Sequence, residues 1–141
     1  MTSLSFPDVN VWLALILEHH VHRPAALAWW AQTDTSAAFT RLTQMSVLRL
    51  LTTAAAMDGK PLTLAQAWRA YDRLFEDERV VFYPEPAGIE TPFRKLSKAS
   101  TASPKVWADA YLVAFVSGHG GQLVTFDKAI DNRGVDSLVL R

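Results

Sequence analysis

The sequence has no cysteine, which excludes disulfides, thiolate zinc sites and a cysteine nucleophile. It has no net charge either. Its 14 Lys and Arg offset 14 Asp and Glu, so no overall basic field draws the chain to nucleic acid or anionic lipid, and a polyanionic partner must be met by a local patch. Long apolar runs are missing: residues 9–17 are mostly apolar but are closed by Glu18, His19 and His20, well short of the roughly 20 residues of a bilayer-spanning helix. The opening MTSLSFPDVN carries no basic stretch of the kind that begins a secretory signal. Low-complexity tracts and internal repeats are also missing. What is present is 141 residues, half of them hydrophobic, enough for one core and too few for two typical domains. The expectation is a single domain spanning 1–141, soluble and cytoplasmic, with no membrane partner.

Strand-like and helix-like segments alternate. Leu4, Ser5 and Phe6 read as a strand running into Pro7 and Asp8, and the spacing of Val11, Ala14, Leu15 and Leu17 predicts a helix. A second helix is expected from Pro24, a strand over residues 37–40, a helix with a broad apolar face over 42–56, and a helix capped by Thr63 running to Phe75. A strand at 80–82, an amphipathic stretch over 89–99, a helix over 105–117 capped by Ser103 with Pro104 in its first turn, and strands at 122–125 and 137–140 complete the series. This alternation predicts an α/β fold whose parallel sheet is covered on both faces.

Three carboxylates take equivalent places in that scheme. Asp8 ends the first strand, Asp127 follows the strand Leu123, Val124, Thr125, and Asp109 lies in the first turns of a helix. In a parallel sheet the carboxyl ends of strands and the adjoining helix starts gather on one edge, where open α/β folds bind ligands. Clustered carboxylates repel unless a cation or proton compensates, and oxygen donors without Cys suit Mg²⁺ or Mn²⁺ rather than zinc. Such a site can catalyse phosphodiester hydrolysis. Asp109 is the hardest to read as a solvated cap, because Trp107, Ala108, Ala110, Tyr111, Leu112 and Val113 surround it.

The stretches PDVNVWLAL (7–15), FTRLTQMSVLRLLT (39–52), WADAYLVAF (107–115) and LVTFDKAI (123–130) together resemble the PIN-domain ribonucleases, and among them the VapC toxins of bacterial toxin–antitoxin pairs. The resemblance runs over nearly the whole chain in the family's order, and its most specific part is the T-x-D of Thr125 to Asp127 with the upstream D-A of Asp109 and Ala110. It implies a PIN-like three-layer α/β/α sandwich around a central, mostly parallel sheet of four to five strands. It further implies a metal-dependent endoribonuclease that cuts structured RNA, tRNA or rRNA, and is neutralised by a cognate VapB-like antitoxin reaching the acids with a basic side chain. Asp8, Asp109 and Asp127 match the family's metal-binding acids. Where the family commonly has a Glu at the start of the third helix this chain has Gln44, which can ligate through its amide oxygen but adds no charge and cannot act as a base. Gln44 is carried with the three acids as a catalytic candidate, and Gln44→Glu is expected to raise metal affinity if the position faces the ion.

Asn10 and Thr125 are candidates to hydrogen-bond and orient a ligating carboxylate. The basic residues Arg94, Lys95, Lys98 and Lys105 precede the Asp109 helix and are, with Trp107, the candidate RNA contacts. His19, His20 and His22 lack the spacing of a zinc pair and read as loop and helix-start residues. The broad face of 42–56 with Trp68 and Tyr71 suggests a homodimer. The alternative function is a non-catalytic PIN-fold module that binds RNA or protein. A receiver domain, imitated by Asp8, Thr125 and Lys128, is disfavoured because the 80–82 strand ends in Tyr83 and Pro84; a dehalogenase-like phosphatase is disfavoured because no second Asp stands two residues after Asp8.

Overall fold

The computed structural model describes residues 4–132 and 134–141. In chain order the elements are β1 (Leu4–Pro7), α1 (Val9–Ile16), α2 (Arg23–Gln32), β2 (Ser36–Phe39), α3 (Arg41–Leu51), α4 (Leu64–Leu74), β3 (Val80–Phe82), α5 (Glu90–Leu96), α6 (Val106–Gly118), β4 (Gln122–Thr125), a short 3-10 helix Lys128–Asn132, and β5 (Ser137–Val139). The strands form one sheet in the order β3-β2-β1-β4-β5, and each adjacent pair is parallel. Chain order therefore reverses at β1, and the crevice between the carboxyl ends of β1 and β4 is the topological switch point of the sheet.

Side-chain alternation along the strands builds the three layers. Ala37, Phe39, Val80 and Val124 face a core made with Val11 and Trp12 of α1, Trp29 of α2, Val47 and Leu51 of α3, and Ala67 and Tyr71 of α4. Phe6, Ala38 and Leu123 face the opposite core with Ile89 and Leu112 to Val116 of α6. Trp12 stacks on Phe39 at 4.0 Å, and Phe39 packs against Tyr71 and Phe75. Gly121 is required by close approach: a Cβ there would stand 2.7 Å from the Phe6 ring and 2.9 Å from the Leu4 carbonyl oxygen. Among the described residues no helix is long and apolar enough to cross a membrane.

Thr63 caps α4 as expected, through a reciprocal side-chain and backbone pair with Gln66, and Thr40, expected to end the strand over 37–40, caps α3 in the same way with Thr43. Three boundaries differ. The helix expected over 42–56 stops at Leu51, because the Thr52 and Thr53 hydroxyls donate to carbonyls of Leu48 and Arg49 and offer the backbone an alternative to the helical ladder. The chain then turns back through Asp58 and Gly59, both at positive φ. The 89–99 stretch is helical only over α5, ending where the Ser97 hydroxyl donates to the Phe93 carbonyl at 2.7 Å. Ser103 does not cap α6 with its side chain; it contributes its carbonyl to the Val106 N–H at 3.2 Å, and Lys105 precedes the helix without a capping hydrogen bond.

Candidate active site

β1 ends at Pro7, and the next residue both leaves the sheet and starts a helix. Asp8 is the N-cap of α1, its Oδ1 accepting from the Val9 N–H at 2.7 Å, while its own N–H donates to the Val124 carbonyl at 2.8 Å. That second bond ties Asp8 to β4 across the switch point. Thr125, buried at the end of β4, accepts the Asp127 N–H on its hydroxyl oxygen at 3.0 Å and donates to Asp8 Oδ2 at 3.3 Å. A hydroxyl has one proton; with its oxygen already receiving the Asp127 N–H, that proton is directed to Asp8. The T-x-D spacing is thus a physical brace: Thr holds the first acid with its side chain and the Asp two residues on with its backbone. Asp127 is steadied from the other side by the Ala129 N–H on its Oδ1 at 2.9 Å, and Asp109 lies half-buried in the first turn of α6.

Burial holds the Asp8 carboxyl above the usual range; the bonds from Val9 and Thr125 oppose that rise, and the charges of Asp109 and Asp127 add to it. Asp109 and Asp127, predicted from sequence as its partners, are thus each near enough to Asp8 for their charge to act on it. Among the described residues, however, no group of three or more acidic or histidine side chains converges on a single cation position. The donor set fits a hard divalent ion by its chemistry, being carboxylate oxygens on a half-open rim whose mutual repulsion a cation relieves.

Gln44 lies one turn into α3, at the carboxyl end of β2, next to β1 in the sheet. It is 6% exposed, and its Oε1 accepts from Arg41 Nη1 at 2.7 Å. The phenol of Tyr71 is pushed up by burial and drawn back by Gln44 and by the charge of Arg41. The amide oxygen expected to be free for an ion is therefore engaged by a guanidinium, which itself lies 4.7 Å over the Phe82 ring. Arg41 was invisible to motif reading, because what matters is the conformation of a long exposed side chain. Thr125 sits where it was expected. Asn10 is exposed in the first turn of α1, and no side-chain hydrogen bond joins it to the acids among the described residues. A second missed neighbour is His22, which stacks on Phe126 at 4.4 Å and so packs the α2 start against the residue between Thr125 and Asp127.

Of the basic candidates, Arg94 pairs with Glu90 one turn away at 2.9 Å on the exposed face of α5. Lys95, Lys98 and Lys105 are exposed without an ion pair among the described residues. Trp107 is exposed at the start of α6, and Tyr71 is buried in the core rather than on an interface.

An all-parallel α/β domain with Asp8 and Asp127 tied through Thr125 at its switch point belongs to the class of open α/β folds whose ligand edge lies at the carboxyl ends of the strands. The particular family is then unambiguous: a PIN domain family model matches residues 5–135, and the chain belongs to that family. It is similar to Ribonuclease VapC41 of Mycobacterium tuberculosis, with 42% identity over 133 residues, covering 90% of this chain and 91% of the relative. The fold matches the crystal structure of Mycobacterium tuberculosis VapC20, a Sarcin-Ricin loop cleaving toxin, with TM-score 0.68 at 16% identity over 93% of this chain and 95% of that one. It also matches VapBC2 from Rickettsia felis bound to a promoter DNA fragment, with TM-score 0.67 at 11% identity over 98% and 99% of the two chains. The family read from the four motifs is the one these comparisons return.

Proposed function

We propose that the chain is the endoribonuclease toxin of a toxin–antitoxin pair, hydrolysing phosphodiester bonds of structured RNA in the cytoplasm with Mg²⁺ or Mn²⁺ and restrained by a VapB-like antitoxin. The observation that carries this reading is the full-length likeness to a VapC ribonuclease in a chain that keeps the acids and their threonine brace. Asp8, Asp109 and Asp127 would hold the ion, which when bound supplies Lewis acidity toward the phosphodiester and makes water a better nucleophile near neutral pH. Thr125 fixes the Asp8 carboxylate with its hydroxyl and the Asp127 backbone with its oxygen. Capping by the Val9 N–H restrains the other Asp8 oxygen. Arg41, held by Gln44 beside the neighbouring strand end, makes that corner positive where a Glu would make it negative, which favours an RNA phosphate. Lys95, Lys98, Lys105, Arg94 and Trp107 lie on the approach along α5 and α6 and are proposed to meet the RNA. An antitoxin side chain of the Arg type would silence the site by bridging two of the carboxylates.

The test is cleavage of purified tRNA and rRNA fragments by the chain with Mn²⁺ and with EDTA. Cleavage that requires the metal and is lost in Asp109→Asn is expected, together with growth arrest on expression that vanishes in Asp8→Ala. Gln44, with its oxygen already engaged, favours one other outcome: RNA binding without cleavage would make the chain a non-catalytic PIN-fold module.

A further inference from the structure

Tryptophan is costly to leave in water, yet Trp107 is 59% exposed at the first turn of α6, while Trp12 and Trp29 are buried. It is nevertheless held in place, since Phe93 of α5 meets its ring edge-to-face at 6.2 Å and 61°. Beside it opens a hollow of about 350 Å³, enclosed by the end of α5, residues 97–104 and the start of α6, with Ser97, Thr101, Ser103, Pro104, Val106 and Trp107 in its wall. That volume lies at the small end of ligand pockets, which run from about 300 to 1,000 Å³.

Resting on the ribonuclease reading above, we propose that this hollow binds one unstacked nucleobase of the RNA substrate on the Trp107 indole, adjoining the bond that is cut. Placement is the first argument. Val106, in the wall, precedes Asp109 by three residues, and side chains three apart on a helix are neighbours, about 5–6 Å between Cβ atoms. The Val106 side of the hollow therefore shares one face of α6 with Asp109, while Trp107, two residues before Asp109, stands round the helix from it, so the hollow adjoins the acid along its Val106 wall. Charge is the second. Lys98 and Lys105 lie in the segments that enclose the hollow, both exposed and neither in an ion pair among the described residues, so cations are free to meet the phosphates flanking the seated base. Chemistry is the third: an indole face offers stacking, the hydroxyls of Thr101 and Ser103 offer donors and acceptors to a base edge, and a base in an intact duplex has no free face to present. The occupant is therefore a base from a loop or single strand.

The experiment uses the full chain in EDTA, so that binding is separated from cleavage, with a fluorescein-labelled RNA octamer presented single-stranded and as a duplex. Trp107→Ala should weaken single-strand binding about 5- to 150-fold, the loss of one base–aromatic stack, while Trp107→Phe retains most of it and duplex binding is the same in all three proteins. With Mn²⁺, Trp107→Ala should raise KM for a loop-containing RNA far more than it lowers kcat. Single-strand affinity unchanged in Trp107→Ala, or equal losses in the Ala and Phe variants, overturns the base site, and if the wild type still cleaves RNA the ribonuclease reading stands. A wild-type chain that neither binds nor cleaves RNA overturns both. Loss of a VapB-like peptide rather than RNA from Trp107→Ala would give the hollow to the antitoxin and overturn the nucleobase assignment.

Discussion

A carboxylate desolvated beside two others destabilises a fold unless something offsets it, and Asp8 is in that position. Asp8→Asn keeps an equally good N-cap and removes the charge, so the metal-free variant should melt a few degrees higher than the wild type. Mn²⁺ should raise the melting temperature of the wild type and not of the variant, because only a ligand bound to the native state stabilises it; differential scanning fluorimetry reads both. Thr125→Val tests the brace. It leaves Asp8 and the Asp127 N–H without their shared partner, and the expected costs are about 1–3 kcal/mol of stability and about 10- to 100-fold in cleavage. For Gln44 the structure changes the expectation drawn from sequence. A Glu at that place would meet Arg41 first, so Gln44→Glu alone should leave Mn²⁺ affinity near wild type, and the increase should emerge only with Arg41→Ala in the same chain. Calorimetry on the four proteins of that cycle measures the coupling. The places of Asp8, Asp109 and Asp127 in the fold were legible because strand ends and helix starts fix where their backbones go; the Arg41–Gln44 bond was not, because rotamers of an exposed arginine leave no trace in spacing.

Elements were legible where local chemistry and burial agree. The apolar strands and the threonine cap of α4 were readable, because each satisfies its own backbone groups within a few residues; Thr40, the cap of α3, reads from sequence as the last residue of a strand. The end of α3 was not: alanines 54 to 56 continue the helical composition, and only the backbone-bonding threonines before them and the turn at Asp58 and Gly59 after them stop it. Sequence also gives no sign of the tie between α2 and β3. Arg79, just before β3, donates through Nη1 to the carbonyls of Trp30 and Thr33 at 2.7 and 2.8 Å. Its guanidinium lies 3.7 Å from the centre of the Trp30 ring and pairs with Asp77 at 2.8 Å. Arg79→Ala should cost about 1.5–3 kcal/mol, the range for hydrogen bonds to a charged group, read as a lower denaturation midpoint. The pair also sets a pH dependence. The bonds from Arg79 hold Asp77 below the usual carboxylate range, so in acid the unfolded chain takes up that proton first. The contribution is therefore complete above the unfolded value near 4 and is lost as pH falls through the depressed folded value. Asp77→Asn should flatten the acid limb of the stability profile in that window and leave neutral pH less affected; an unchanged acid limb would mean the pair is fully screened by solvent.

At the scale of the whole molecule, the apolar face proposed from residues 42–56 divides in two. Val47, Leu51 and Tyr71 are spent on the core, which accounts for much of the hydrophobic periodicity that suggested an interface. What stays outside is narrower: Met45, Leu64 at 73% exposure and Trp68 at 47%, with Leu64 and Trp68 bordering a shallow hollow that Leu48 and Ala67 also line. Zero net charge provides no long-range repulsion to keep two such patches apart, and a patch shared by two identical chains closes as a two-fold dimer. The patch lies on the α3–α4 side, whereas the acids occupy the rim between β1, β4 and α6, so pairing there leaves each site open to RNA. Sedimentation at micromolar concentration should therefore give the mass of two chains, and Leu64→Glu with Trp68→Glu should give that of one. If the charged variant retains the wild-type rate per chain on an RNA substrate, each chain carries a whole site; a wild type that sediments as a single chain leaves the patch to a different protein and removes the dimer from the account.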